Sequence, residues 1–132
     1  MQKLFKYGLA VVREKQLLVV REYNTANYLL PGGRPKEGES AEETLAREIK
    51  EELGVGVKRN SLKYYGAFED AAANEPHTII QISVYLGEIT GNPTPSAEIE
   101  EVAWIRSQHN LTLAPSIRNK ILPALVKDGI VS

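Results

Sequence analysis

Glu48, Glu51 and Glu52 crowd into the stretch LAREIKEELGV, Leu45–Val55. On a helix, like charges three and four residues apart repel one another. In the C-terminal half of that helix the macrodipole disfavours each of them by some tenths of a kcal/mol. A solvated glutamate-rich face is one way to carry such charge, with Arg47 and Glu51 as an i,i+4 pair and Lys50 as a partial neutraliser. The segment PGGRPKEGE just upstream points to another. A glycine-rich loop lets backbone approach a ligand where side chains would obstruct it. Several carboxylates and a loop carbonyl form the oxygen shell that Mg²⁺ or Mn²⁺ prefers, and a divalent ion would cancel the repulsion. Carboxylates can also position and deprotonate water. Those two tasks together suit metal-assisted hydrolysis.

The acids need a helix to hold them. Ser40 and Glu43 form the pattern of a capping box. Leu45, Ile49 and Leu53 recur every four residues as a buried stripe, and Gly54 supplies a left-handed stop, which predicts a helix over about residues 41–53. At 100° per residue the three glutamates cover an arc of about 100° beside that stripe. Around the helix, YGLAVV and QLLVVREY read as an N-terminal hairpin, and LKYYGAFED and HTIIQISVYLGEI as strands joined by AAANEP. IEEVAWI reads as a further strand, and SIRNKILPALVKDG as a final helix that Pro123 should kink or shorten. The expected fold class is α+β, a mixed sheet with helices packed against it.

At 132 residues, 42% hydrophobic and 25% charged, the chain is expected to form one domain, residues 1–132, with a core large enough to need no disulfide. It has no cysteine, which excludes a thiolate nucleophile and sulfur-ligated zinc. A net charge of −1 with both signs interspersed provides no field for gripping a long nucleic acid. MQKLFKYGLAVV lacks the pattern of an export signal and no apolar run reaches spanning length, so the expectation is a cytoplasmic protein without a membrane anchor, monomeric or homodimeric.

Gly33, five residues, Glu39, seven residues, then Arg47-Glu48-Ile49, Lys50, Glu51-Glu52, Leu53, Gly54-Val55 resembles the complete Nudix box, with no fixed position departing from it. The order of strands around the box is similar to that of small MutT-type members. The resemblance implies a Nudix fold, a mixed β-sheet sandwiched between α-helices. It also implies hydrolysis of a nucleoside diphosphate linked to a further group, with Mg²⁺ as cofactor and a small nucleotide as substrate. By the same similarity the Gly33 carbonyl becomes a ligand beside Glu48, Glu51 and Glu52. Glu98, six residues before Trp104, matches a glutamate that serves MutT-like proteins as ligand or base. One of these four acids would be the base. A nucleotide sensor that keeps the fold without cleavage is the alternative class, but such a module would tolerate loss of box acids, and none is missing. RNA 5′-end processing is a third.

Arg47 is read as the residue that orients the box glutamates, with phosphate contact as its alternative, and Glu39 as a loop brace. Tyr28, Tyr23 and Phe68 are candidates for stacking on a base, and Arg21 for phosphate. For each, packing or pairing within the protein is the competing role, with Glu22 or Glu69 as partners for Arg21. Trp104 reads as core, and His77 and His109 as surface residues without metal-ligand spacing. An asparagine after a proline pair contributes to the MutT-type base pocket. LAPSIRNKI places Ile117 near that position and Asn119 two residues beyond, so the resemblance does not extend to oxidised-guanine specificity.

Overall fold

Leu17, Leu18, Val19 and Val20 are consecutive and all buried, as befits a strand covered on both faces. In the computed structural model, which describes residues 1–132, they form the middle of β3 (Gln16–Glu22). Leu17 and Val19 enter one core cluster with Ile117, Ile121, Leu122 and Leu125 of the C-terminal helical segment. Leu18 and Val20 enter a second with Leu45, Ile49 and Leu53 of α1 (Ala41–Leu53). Burying each of those side chains contributes roughly 1.5–3 kcal/mol. The strands are therefore sandwiched between two helical layers, as the α+β reading and the resemblance implied.

Two sheets make up that middle layer. One runs β4 (Gly32–Gly33), β1 (Gln2–Ala10), β6 (Thr78–Ile89), β5 (Val57–Ala71). It is mixed, because β1 pairs parallel to β6 and antiparallel to β4, while β5 and β6 are antiparallel. The other runs β2 (Val12–Arg13), β3, β7 (Ile99–Ile105), all antiparallel. The N-terminal hairpin thus forms from β2 and β3 alone. The first run is divided at Val11, and its longer part crosses to the other sheet as β1.

Helix α1 has the predicted bounds. Ser40 and Glu43 exchange both capping-box hydrogen bonds, and Gly54 ends the helix at φ 70°. The last helix opens with a wide π turn, Ile117–Ile121, before α2 (Leu122–Lys127). Pro123 accounts for the change, since it has no N–H and its ring crowds the carbonyl four residues back. No helix is long and apolar enough to cross a membrane.

Candidate functional site

Glu52 is a carboxylate on the core side of α1, only 5% exposed. Its one backbone partner is the Gly32 N–H, which donates to Oε1 at 3.2 Å. Burial without a paired cation disfavours the charged form. The Glu52 carboxyl is accordingly pushed far above the usual carboxylate range, chiefly by desolvation and next by a hydrogen bond shared with Glu48. The Gly32 N–H and Lys6 pull the other way. A buried carboxyl with one backbone donor and no ion-pairing partner marks a place short of positive charge.

Glu48, one turn earlier, is held from the opposite side. Arg47 Nη1 donates to its Oε1 at 2.5 Å, while Nε and Nη2 grip Glu39 at 2.7 and 2.8 Å. Arg47 also donates to the Arg34 carbonyl at 3.2 Å, which ties the glycine-rich loop to the helix. Glu39 accepts further bonds from the Lys36 N–H and the Thr44 hydroxyl, and Arg47 above all lowers its carboxyl to about 2. Fork-to-fork bonding of this kind fixes rotamers as well as charge. Arg47 thus links Glu48, Glu39 and the glycine-rich loop, and not Glu51, the i,i+4 partner that helix spacing offered.

Glu98 reaches the same point from a loop. α1 ends with carbonyls that have no partner within the helix. Ser96 N–H donates to the Glu52 carbonyl and Thr94 N–H to that of Leu53, each at 3.0 Å, so the loop is stitched to the helix end. Ala97 then takes a left-handed φ of 51°, and the Glu98 carbonyl accepts from the Tyr23 N–H at 3.0 Å. The outcome is a trio, Glu48, Glu52 and Glu98, whose carboxylate oxygens lie within 4.8 Å of one another. Oxygens around an octahedral Mg²⁺ at about 2.0–2.1 Å stand roughly 3–4 Å apart, so a slight contraction gives a fitting hard-oxygen set. Gly33 closes it from the loop side. A Cβ there would lie 2.6 Å from the Glu48 carboxyl carbon, so only glycine leaves that carboxylate its place. Glu51 is exposed on the flank of α1 and stands outside the trio.

These groups line one end of a cleft of about 280 Å³. Leu4, Leu29, Ile80, Ile82 and Ala114 line its apolar part, and the β5–β6 loop, 72–77, supplies Ala72–Glu75 along one wall. Arg21, Tyr28 and Phe68 do not line it. Arg21 is engaged by Glu100 at 2.9 Å and Glu101 at 2.7 Å and lies over the Tyr28 ring. The Tyr28 hydroxyl donates to Glu101, and Phe68 stacks on Tyr65 against the core. All three are occupied within the protein. Trp104 packs beside the α1 core under Arg13, His77 sits in the loop before β6 rather than in the strand, and His109 bonds the Leu111 N–H.

The charged cleft residues Lys6, Glu22, Arg34 and Glu75 were not among the site candidates read from sequence. For Lys6 a signal existed. Leu4, Lys6 and Gly8 alternate onto one face of β1, so a lysine occupies a position where the strand pattern asks for an apolar residue. Lys6 is half-buried as a residue, and burial lowers its pKa against the pull of Glu52, Glu22 and Glu48.

Comparison with known proteins agrees with this geometry. A family model described as the NUDIX domain matches residues 6–125. YtkD of Bacillus subtilis (strain 168), named as a candidate 8-oxo-dGTP diphosphatase, is 35% identical over 116 residues, 86% of this chain and 67% of that protein. The NAD-capped RNA hydrolase NudC of Vibrio vulnificus (strain CMCP6) is 23% identical over 133 residues, with 98% of this chain spanning about half, 48%, of that one. Among solved structures, a MutT Nudix hydrolase from Burkholderia pseudomallei superposes with a TM-score of 0.75 at 22% identity, covering 96% of this chain and 98% of the other. With the box residues gathered at one cleft and the family's domain matched along nearly all its length, the chain belongs to the Nudix hydrolases as a small MutT-type member.

Proposed function

We propose that this hydrolase, acting through residues 1–132 as one catalytic domain, cleaves the pyrophosphate bond of a small nucleotide such as a (deoxy)nucleoside triphosphate. Mg²⁺, with Mn²⁺ as a substitute, would be held by Glu48, Glu52, Glu98 and the Gly33 carbonyl. The observation that supports this most directly is the gathering of Glu48, the buried Glu52 and Glu98 within 4.8 Å at the glycine end of the cleft. A divalent ion bound there would supply the charge neutralisation that phosphate oxygens need and acidify a bound water.

The chain's own residues divide the remaining work. Arg47 and Glu39 hold Glu48 still, and the Gly32 N–H holds Glu52. Glu98, the exposed member of the trio, reaches bulk water and takes the proton of the attacking molecule. Glu51, exposed on the flank of α1 outside the trio, would be the outermost of the box acids about a bound cation. Leu29, Ile80 and Ile82 offer an apolar wall to the base. Oxidised guanine is not part of the proposal. The Asn119 amide donates to Asp70 at 3.0 Å, and Ile117 is buried in the core.

The test is a panel of nucleoside triphosphates, nucleotide sugars, ADP-ribose, NADH, dinucleoside polyphosphates and capped RNA, assayed with Mg²⁺ and with EDTA. Release of a nucleoside monophosphate from triphosphates, lost in EDTA, is the expected result. Failure to cleave any of them would favour a sensing module.

A further inference from the structure

Lys6 presents an unpaired cation to the floor of the cleft. Three glutamates, Glu22, Glu48 and Glu52, lie near enough to stabilise its charge, yet none comes within ion-pairing distance and its Nζ donates no hydrogen bond. By contrast Arg47 is committed to Glu39 and Glu48, and Arg21 to Glu100 and Glu101. Arg34, the other cation lining the cleft, is exposed on the glycine-rich loop.

The position is fixed by the sheet. Lys6 pairs with Ile82 in the parallel β1–β6 register, and Leu4 with Ile80, so the lysine stem rises from an apolar floor. Placing an ammonium there costs desolvation, which a structural role without a partner does not repay. A polyanionic ligand does. The carboxylates lining the cleft, Glu22, Glu48, Glu52, Glu75 and Glu98, outnumber its two cations, Lys6 and Arg34, so even with one divalent ion bound the lining repels phosphate, and Lys6 reduces that repulsion at the floor.

From this we infer that Lys6 is a substrate-binding residue, whose ammonium contacts non-bridging oxygens of the phosphate chain and sets the preference for polyphosphate esters. The inference rests on the proposed nucleotide hydrolysis, and it deepens that reading by naming the cation on the protein side. Lysine suits the task as a point charge that tolerates the changing geometry of a reacting phosphate.

The experiment compares wild type with Lys6→Met and Lys6→Arg, the first keeping the stem and the second the charge. Steady-state kinetics on the best triphosphate are joined to calorimetric titration with a methylene-bridged, uncleavable analogue in Mg²⁺. For Lys6→Met the expected result is a KM and an analogue Kd each raised about tenfold or more, kcat within about threefold, and a melting temperature no lower than wild type. Lys6→Arg should recover most of the loss in Kd. Unchanged KM and Kd in a folded Lys6→Met protein would overturn the inference, as would a loss confined to kcat. A wild-type protein that cleaves no nucleotide yet binds the analogue through Lys6 would sink the proposed reaction while keeping this contact. Failure of both enzyme and analogue binding would sink both.

Discussion

Replacing Glu52 with Gln should separate the acid's cost to the fold from its use in the reaction. The amide is nearly isosteric with the neutral carboxyl. Its oxygen can accept the Gly32 N–H now bonded at 3.2 Å, and its NH₂ can donate to Glu48. The sign of the pH effect follows from the raised pKa. Unfolded, Glu52 ionises in the ordinary carboxylate range; folded, it keeps its proton past neutrality. Its penalty is therefore absent at low pH, where both states are protonated, and grows as pH rises through that window. A whole proton is worth about 1.4 kcal/mol per pH unit, so from pH 6 to 8 the ceiling is about 2.7 kcal/mol. The pull of Lys6 and the Gly32 N–H towards the ionised form is already contained in that raised pKa, so the expected loss is of order 2 kcal/mol, or about 5–10 °C in melting temperature for a chain of this size. In EDTA the variant should gain on wild type by that amount between pH 6 and 8, using the difference between proteins so that other titrations cancel. Millimolar Mg²⁺ should reverse the ranking, because wild type gains binding energy that the amide cannot supply. Turnover should fall at least about a hundredfold in the variant, as when a metal-activated step loses a ligand. A difference in melting temperature that stays flat across pH, or a variant less stable throughout in EDTA, would refute the buried, protonated Glu52.

Further outcomes follow from the same geometry. Glu98→Gln should lower kcat by about a hundredfold or more with little change in melting temperature, since the side chain is exposed and its loop is anchored by backbone; stopped activity with a large fall in stability would assign Glu98 to the fold instead. Gly33→Ala should cut activity and Mg²⁺ affinity by pushing Glu48 aside, read by kinetics and by metal titration of the melting temperature, whereas wild-type affinity would show that the carboxylate is not confined there. Arg47→Lys should lose about 10–100-fold in kcat/KM because a point charge cannot grip Glu39 and Glu48 together, and equal activity would remove its orienting role. Glu51→Gln should cost less than Glu52→Gln in the same assay, in keeping with its exposure outside the trio; a larger loss would move the principal cation site to the helix flank.

What the sequence reveals divides along the range of the forces involved. The bounds of α1, its caps and its buried stripe are set by residues within one or two turns, and they were legible from Ser40, Glu43, Leu45, Ile49, Leu53 and Gly54. The partners of Arg47 were not, since helix spacing offered Glu51 whereas its guanidinium meets Glu48 and, across the loop, Glu39. The transfer of β1 to the second sheet was not, because it rests on parallel pairing with β6 some seventy-six residues away, for instance Gln2 with Thr78. Arg21, Tyr28 and Phe68 have residue types that suit a nucleotide equally well, and only the tertiary fold shows that Glu100, Glu101 and Tyr65 already engage them.

Glu98 lies between these limits, and the way it is placed links stability to the site. Local sequence says only that an acid-rich loop precedes a strand. The unpaired carbonyls of α1 select which of those acids turns inward, because Thr94 and Ser96 satisfy Leu53 and Glu52 in the last turn of the helix. The left-handed backbone at Ala97 then redirects the chain by one residue, at a cost of order 1 kcal/mol for a non-glycine. Glu52 thus takes part twice, its backbone carbonyl holding the loop and its side chain meeting the carboxylate that the loop delivers. The helix end that positions two acids therefore also recruits the third, so Ser96→Pro, which removes one anchoring N–H, should lower Mg²⁺ affinity without any change to a carboxylate. Metal titrations of melting temperature that coincide with wild type for a folded Ser96→Pro protein would show that Glu98 is placed by something other than this stitch.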